Sequence, residues 1–412
     1  MLAEVYIEWS QSEKYYVFSA FYIGFILLPL PSGVVCDLYG AKYVLSSSLL
    51  VCGLICIAIP LTLTTTPWYV SAILQGLMGL FQGSAVPAMI SLVSQWIPKR
   101  NRTFLISYAY SGGCLGNILV SLVSKYVKTR NKHWEGLFYF WAGCIFIWFI
   151  VIMVFVYSSP QRHPFVDPSE KSLLVKQIGV HMPTKIPWSC ILRDSAMWAL
   201  FVGQLGHSYC IYTIDTQLSE FFEHILKFNI ESNLYLFLLP NMCQWCAIII
   251  SGYVGELLIQ KKVVPAIYMR CIYLAIGNSL ASFAILLTTS MRCNGTLILI
   301  CITSAMIFKG TIYAGLKANL LDITKHYCGV LTGIQIEVTA VLGIIIPQIN
   351  TMMCPNQTIK EWNYVFWLTF LICTFTSVFY CIFCKSDRAR WDVLDEETER
   401  ASHRTNILHN KK

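Results

Sequence analysis

The chain has 412 residues, of which 56% are hydrophobic and only 13% charged, with a formal net charge of +8. A water-soluble domain of this size needs more charge to cover its surface, so the composition excludes an ordinary soluble fold. The positive balance raises a nucleic-acid partner, but Lys and Arg also collect in the cytosolic loops of membrane proteins, and the apolar surplus favours that account.

The apolar residues fall into long runs. In chain order, with soft ends, these are 15–35, 43–63, 68–94, 104–126, 135–157, 196–218, 232–258, 264–289, 296–317, 327–350 and 361–384. Each has the roughly 20 residues that cross a hydrocarbon layer of about 30 Å. Backbone groups cannot stay unpaired in lipid, so the runs are helices or barrel strands. Barrel strands alternate over about 10 residues, and these runs do not. The expectation is an all-α membrane protein of about 11 transmembrane helices. The cysteines read as small membrane-helix residues. Cys243-Gln-Trp-Cys246 has redox spacing but lies inside a run, so no metal or other cofactor is expected.

Basic residues set the orientation. Lys99, Arg100 and Arg102 share one short loop. Arg162, Lys171, Lys176, Lys185 and Arg193 share the longest polar stretch, and Lys385, Arg388 and Arg390 follow the last run. All fall on one side, which is therefore read as cytosolic, with the C-terminus there. Lys125, Lys128, Arg130 and Lys132 fall on the other side and run against the rule. The sequons at Asn294 and Asn356 also fall on that non-cytosolic side, as glycosylation acceptors should. The first residues are polar and do not read as a cleavable signal. This topology puts the N-terminus outside, which an additional upstream helix would explain.

The polar stretch 158–195 divides the runs into an N-terminal bundle, 1–157, and a C-terminal bundle, 196–385, followed by a tail, 386–412. Gly33-x-x-x-Asp37-x-x-Gly40-x-Lys42 follows the first run. Gly252-x-x-x-Glu256-x-x-Ile259-x-Lys261 follows the second run of the later bundle. Glycine, acid and base recur at equal spacing, as in an internal repeat of a transporter half. Gly33 permits close helix approach, and Asp37 can cap or pair at a neighbouring helix end. Such a contact can hold two halves in one conformation and release in another.

The first of these loops resembles the signature loop of the major facilitator superfamily. Further pieces resemble its anion/phosphate cotransporter family, which includes sialin, the vesicular glutamate transporters and the sodium–phosphate cotransporters, and above all the insect inorganic phosphate cotransporter-type members. They include Trp9-Ser10, Gln82-Gly-Ser-Ala-Val-Pro87-Ala, Ser159-Pro-Gln-Arg-His163-Pro164 and Tyr212-Thr-Ile-Asp-Thr-Gln217-Leu. Asn319-Leu-Leu-Asp322-Ile with Tyr327-x-Gly329-x-Leu331-x-Gly333 completes the set. The resemblance implies the major facilitator fold, two pseudo-repeated helical bundles, with these runs as helices 2–12 of the usual twelve and the first helix absent. It also implies a monomer that moves a small anionic solute, coupled to Na⁺ or H⁺, in the plasma membrane or an endolysosomal or vesicular membrane.

In that family the fourth, seventh and tenth helices line the central cavity; here these are 68–94, 196–218 and 296–317. The family typically has an Arg where Gln75 stands and a Glu where Gln82 stands. The amides either bind a polar solute or hydrogen-bond between helices. His207, Tyr212 and Gln217 on the seventh helix and Lys309 on the tenth complete the cavity set. Lys309 and Glu337 lie at similar depth, at about 1.5 Å of rise per residue, and are expected to pair. Arg102, Asn319 and Asp322 join Gly33, Asp37, Gly40, Lys42 and Glu256 as a gating set. Two functions stand: a secondary transporter of organic anions or inorganic phosphate, or a degenerate member that folds without coupled transport. No Walker A, H-E-x-x-H or G-x-S-x-G pattern occurs, so no enzyme is expected.

Overall fold

The computed structural model describes residues 9–98, 100–130, 134–178, 185–217, 234–291 and 295–393. All regular structure among them is helical. In the N-terminal half, α1 is Gln11–Leu27, α2 Pro29–Tyr39, α3 Ala41–Thr65, α4 Trp68–Trp96, α5 Arg102–Arg130 and α6 Glu135–Phe155. The polar stretch carries α7, Pro168–Ile178, and α8, Trp188–Arg193.

The C-terminal half begins with α9, Ser195–Tyr212, which continues as a π segment, Thr213–Gln217. Next come α10, Leu234–Gln260, and α11, Ala266–Ala275, with a π segment Ile276–Leu280 leading into α12, Ala281–Thr288. Then α13, Gly295–Gly310, is joined through a π segment, Tyr313–Lys317, to α14, Ala318–Ile323. The last two are α15, Cys328–Met353, and α16, Ile359–Phe383.

Local sequence explains several helix ends. Ser10 caps α1 through a reciprocal pair: its hydroxyl accepts from the Glu13 N–H, and the Glu13 carboxylate accepts from the Ser10 N–H. Thr358 and Glu361 repeat this at the start of α16. Pro29 stands at the first position of α2, where its missing N–H costs nothing, and divides one long apolar segment into α1 and α2. Gly40 takes φ +106°, which L side chains rarely adopt, and so turns the chain from α2 into α3.

Ten helical segments are long and apolar enough to cross a membrane among the described residues. The remaining predicted run, 196–218, is helical over α9 and its π segment but is less apolar, because it carries Gln204, His207, Ser208 and Thr213, all buried inside the protein. The tenth helix runs further than its apolar pattern, to Ile323, because buried contacts with the rest of its half replace lipid around Asn319 and Asp322.

Within the N-terminal half α4 packs on α1 and α3, and α3 on α6; Gly79 and Gly83 bring α4 against α1 with no room for a side chain. Within the C-terminal half α9 packs on α16, and α13 on α10 and α12. The halves meet through α2 and α4 against α15 and through α5 against α10. One buried apolar cluster crosses this boundary, with Ile90 and Ile106 on one side and Leu320, Leu321 and Leu331 on the other. It lies toward the end of the bundle where Arg102, Arg270, Lys385 and Arg388 gather, hereafter the basic end.

The stretch after α16 is not a free tail over its first residues. Asp392 is fully buried and accepts from the Thr324 hydroxyl and the His326 N–H, at 2.9 and 3.2 Å. Trp391 donates its indole N–H to Asp194 at 3.0 Å. The tail boundary at 386 therefore falls inside packed structure, which continues at least to Val393.

Candidate functional site

Two carboxylates join the halves at the basic end. Asp37, 3% exposed at the end of α2, accepts from the N–H groups of Gly329 at 3.0 Å and Val330 at 2.9 Å. These belong to the first turn of α15, where N–H groups lack intrahelical partners and the helix dipole is positive. The Ser91 hydroxyl donates to the same carboxylate at 2.7 Å. Glu256, near the end of α10, does the same in the other direction. It accepts from the N–H groups of Asn101 at 3.0 Å and Thr103 at 2.9 Å, at the start of α5. Each half thus caps a helix of the other.

The glycines of the repeat act beside the acids. Gly33 lies against the Gly329 backbone, and a Cβ there would collide with the Gly329 carbonyl. Gly252 lies against Ser107 and Phe104 of α5 in the corresponding place. Gly33→Val is therefore expected to wedge α2 from α15. Hydrogen exchange of the amides at 328–332 should rise by about tenfold or more, matching a closing equilibrium weakened by at least ~1.4 kcal/mol. Unchanged exchange would show that this contact is dispensable.

Charge reinforces the junction. Asp322 stands between Arg102 of the N-terminal half, at 3.3 Å, and Arg270 of its own half, at 2.9 Å. Arg102 also donates to the Leu321 carbonyl at 2.6 Å, and Arg270 to the Thr103 hydroxyl at 3.1 Å. Two members of the expected gating set act elsewhere. Lys42 donates to the Met153 carbonyl at 2.8 Å and lies over the Tyr157 ring, so it ties α3 to the end of α6 within one half. Asn319 donates to the Tyr380 hydroxyl at 2.7 Å, within the other half, because its side chain faces α16 rather than the junction.

The expected Lys309–Glu337 pair is not formed. Lys309 donates to both carboxylate oxygens of Asp215, at 2.7 and 2.9 Å, and Glu337 instead accepts from the Leu30 N–H at 3.1 Å. Depth along the membrane did not decide the matter; direction did. Glu337 faces α2, whereas Asp215, in the π segment after α9, faces α13. Lys309 is 3% exposed and Asp215 40%.

On α4, Gln75 is half-buried and Gln82 exposed, and neither side chain makes a hydrogen bond with a described residue. Val86, Met89 and Val93 share the Gln82 face at helical spacing and pack into the cluster between the halves. Gln82 continues that face where the cluster ends. Tyr212 places its hydroxyl against Gly343 of α15. Gln217 closes the π segment, its side chain lying outside the described residues, as does Asn294. Asn356 is exposed in the turn between α15 and α16.

A second buried lysine on the tenth helix was not anticipated. Lys317, 6% exposed, donates to the amide oxygens of Gln204 at 2.7 Å and Gln335 at 3.2 Å. The Tyr110 ring of α5 lies 5.7 Å from its ammonium. Gln204 also donates to Ser208 at 3.1 Å and Thr339 at 2.9 Å. His207, 2% exposed, meets the Tyr313 ring edge-on. Lys317 ends its apolar run in the sequence, and the π segment carries it into the interior. Such wide turns are frequent at functional sites in helices.

A family model described as Major Facilitator Superfamily matches residues 2–347. The chain is 27% identical to sialin of Homo sapiens over 397 residues, covering 95% of this chain and 79% of sialin. It is 26% identical over 399 residues to sodium-dependent phosphate transport protein 3 of Mus musculus, covering 94% and 81%. Among solved structures, the proton:xylose symporter XylE superposes with a TM-score of 0.74 at 13% identity, over 93% of this chain and 90% of that one. A bacterial homologue of the iron transporter ferroportin, in its outward-facing state, gives 0.65 at 12% identity, over 91% of each chain. The chain therefore belongs to the major facilitator superfamily, a group of integral membrane transporters rather than enzymes, and is similar within it to the sialin and phosphate-transport proteins.

Proposed function

We propose that this protein is a secondary transporter of organic anions or inorganic phosphate that works by alternating access. The observation that carries the reading is the reciprocal capping at the basic end, where each half supplies the acid for a helix of the other. A contact made only between rigid halves can form and break as they rock, while each half keeps its own fold. The basic end, read as cytosolic from its Lys and Arg, is closed in this structure by the caps and by the apolar cluster across the boundary.

The names of similar proteins couple phosphate transport to sodium and sugar transport to a proton, which supports Na⁺ or H⁺ coupling here. Lys317, buried on the tenth helix with no carboxylate within ion-pair distance among the described residues, suits an anion better than a cation. The cavity is taken to lie between Gln75, Gln82, His207, Tyr212, Lys309 and Lys317, in the plasma membrane or an endolysosomal or vesicular membrane. The test is uptake of labelled phosphate and of organic anions into proteoliposomes, with and without Na⁺ and at two pH values. Saturable accumulation that collapses with one of the gradients is the expected result; gradient-independent leakage alone would overturn the reading.

A further inference from the structure

We infer that Lys317 is the cation that receives the transported anion, and that the anion's charged group is an oxyanion, a carboxylate or a phosphate. The inference rests on the transport reading above and assigns the solute's charged group to a specific residue.

Lys309 and Lys317 are both buried on the tenth helix, but their surroundings differ. Lys309 is neutralised by Asp215, which meets its ammonium with both oxygens. Lys317 has no carboxylate within ion-pair distance among the described residues; it is held by two amide oxygens. A buried charge without a counter-ion is costly, and amide dipoles offset that cost only in part. An anion beside it recovers the difference.

The neighbouring donors point the same way. Gln335 is 1% exposed, and while its oxygen accepts from Lys317, its Nε2 has no hydrogen-bond partner among the described residues. One amide group therefore holds an unused N–H donor next to the ammonium. Nδ1 of His207 is likewise buried without a partner among the described residues, and His207 lies in the fields of both lysines. Ammonium and amide N–H side by side match two oxygens of one oxyanion. A neutral sugar or an organic cation would leave the charge uncompensated.

The position also suits release at the basic end. The lysine lies on the C-terminal half, and the ring covering it, Tyr110, belongs to α5 of the N-terminal half. Separation of the halves at that end removes Tyr110 and opens the ammonium to solution, while the Lys309–Asp215 pair stays within one half.

The test uses the full chain, purified in detergent and reconstituted in liposomes. Melting temperature is followed against inorganic phosphate, lactate and a neutral sugar, and uptake of the labelled anions is measured in parallel. The wild-type protein is expected to be stabilised by phosphate, by lactate or by both, and not by the sugar; which anion acts identifies the group. Lys317→Gln should abolish the shift and raise KM for that anion by about tenfold or more, as loss of a charge-assisted contact predicts. Gln335→Glu guards against a folding defect, because it supplies an internal carboxylate beside the ammonium. It should keep or raise the melting temperature while abolishing the anion response. Unchanged response and KM in both variants, with wild-type transport intact, would overturn this inference and leave the transport reading standing. Absence of any anion response or uptake in the wild-type protein would remove both.

Discussion

Asp37→Asn combined with Glu256→Gln is expected to open the basic end. Each native carboxylate accepts backbone N–H groups from the first turn of a helix in the other half. Hydrogen bonds to a charged group contribute about 1.5–3 kcal/mol each, and the helix dipole adds up to ~2 kcal/mol in buried geometries. The neutral amides keep the shape but lose the charge, and they bring N–H₂ groups that the site cannot satisfy. Losing both acids should weaken closure by several kcal/mol, more than a hundredfold in population at about 1.4 kcal/mol per tenfold. Amide exchange at 101–105 and 328–332 is the direct measurement, since these segments contain the capped N–H groups. Exchange should rise strongly in the double variant and less in each single one. Coupled uptake should fall with it, because a transporter that cannot close one side leaks its gradient or stalls. Exchange identical to wild type would refute reciprocal capping as the force that closes this end.

The second large effect is an asymmetry. Lys309 is 3% exposed and Asp215 40%, so the partners of this ion pair are not equally dependent on each other. Asp215→Asn leaves an ammonium buried without its counter-ion, a change that costs about 3–5 kcal/mol in comparable buried pairs. Lys309→Met removes the cation and leaves a carboxylate that water can reach, so the cost should be at most about 1–2 kcal/mol. The double variant should regain most of the stability lost by Asp215→Asn alone, because no buried charge remains. Thermal unfolding in detergent, followed by monodisperse fraction, gives the order. Equal losses in the two single variants would mean that Asp215 is not the group that neutralises Lys309.

The membrane spans were legible because lipid enforces a simple pattern, an apolar run of sufficient length. The capping acids were legible as well, through the equal spacing of Gly33 and Asp37 and of Gly252 and Glu256. Their partners were not, since a backbone N–H leaves no trace in a sequence. Lys309 had a visible need for a counter-ion, but counting rise along helices gives depth and says nothing of direction. Glu337 was within reach by depth, and packing of α15 on α2 turned it away. Lys317 was hidden by its place at the end of a run, where a charge ordinarily marks the water boundary. The π segment Tyr313–Lys317 and the six helical residues after it move that boundary outward. Asp392 was missed for a related reason: a polar stretch after the last span reads as solvated, yet its carboxylate is fully buried on the N–H groups after α14.

The crossed caps also say what must happen when the basic end parts. The N–H groups of Gly329 and Val330 on one side, and of Asn101 and Thr103 on the other, lose their acceptors in the same movement, and the two buried carboxylates lose these donors. Ser91 and Gln260 keep one donor on each carboxylate within its own half, and water that enters as the halves separate supplies the remaining partners. Opening at this end is thus a wetting step, and the volume of water admitted becomes part of its free energy. Osmolytes excluded from the gap draw that water out and hold the end shut. The rate of turnover then depends on osmotic pressure, even though no solute of transport has changed.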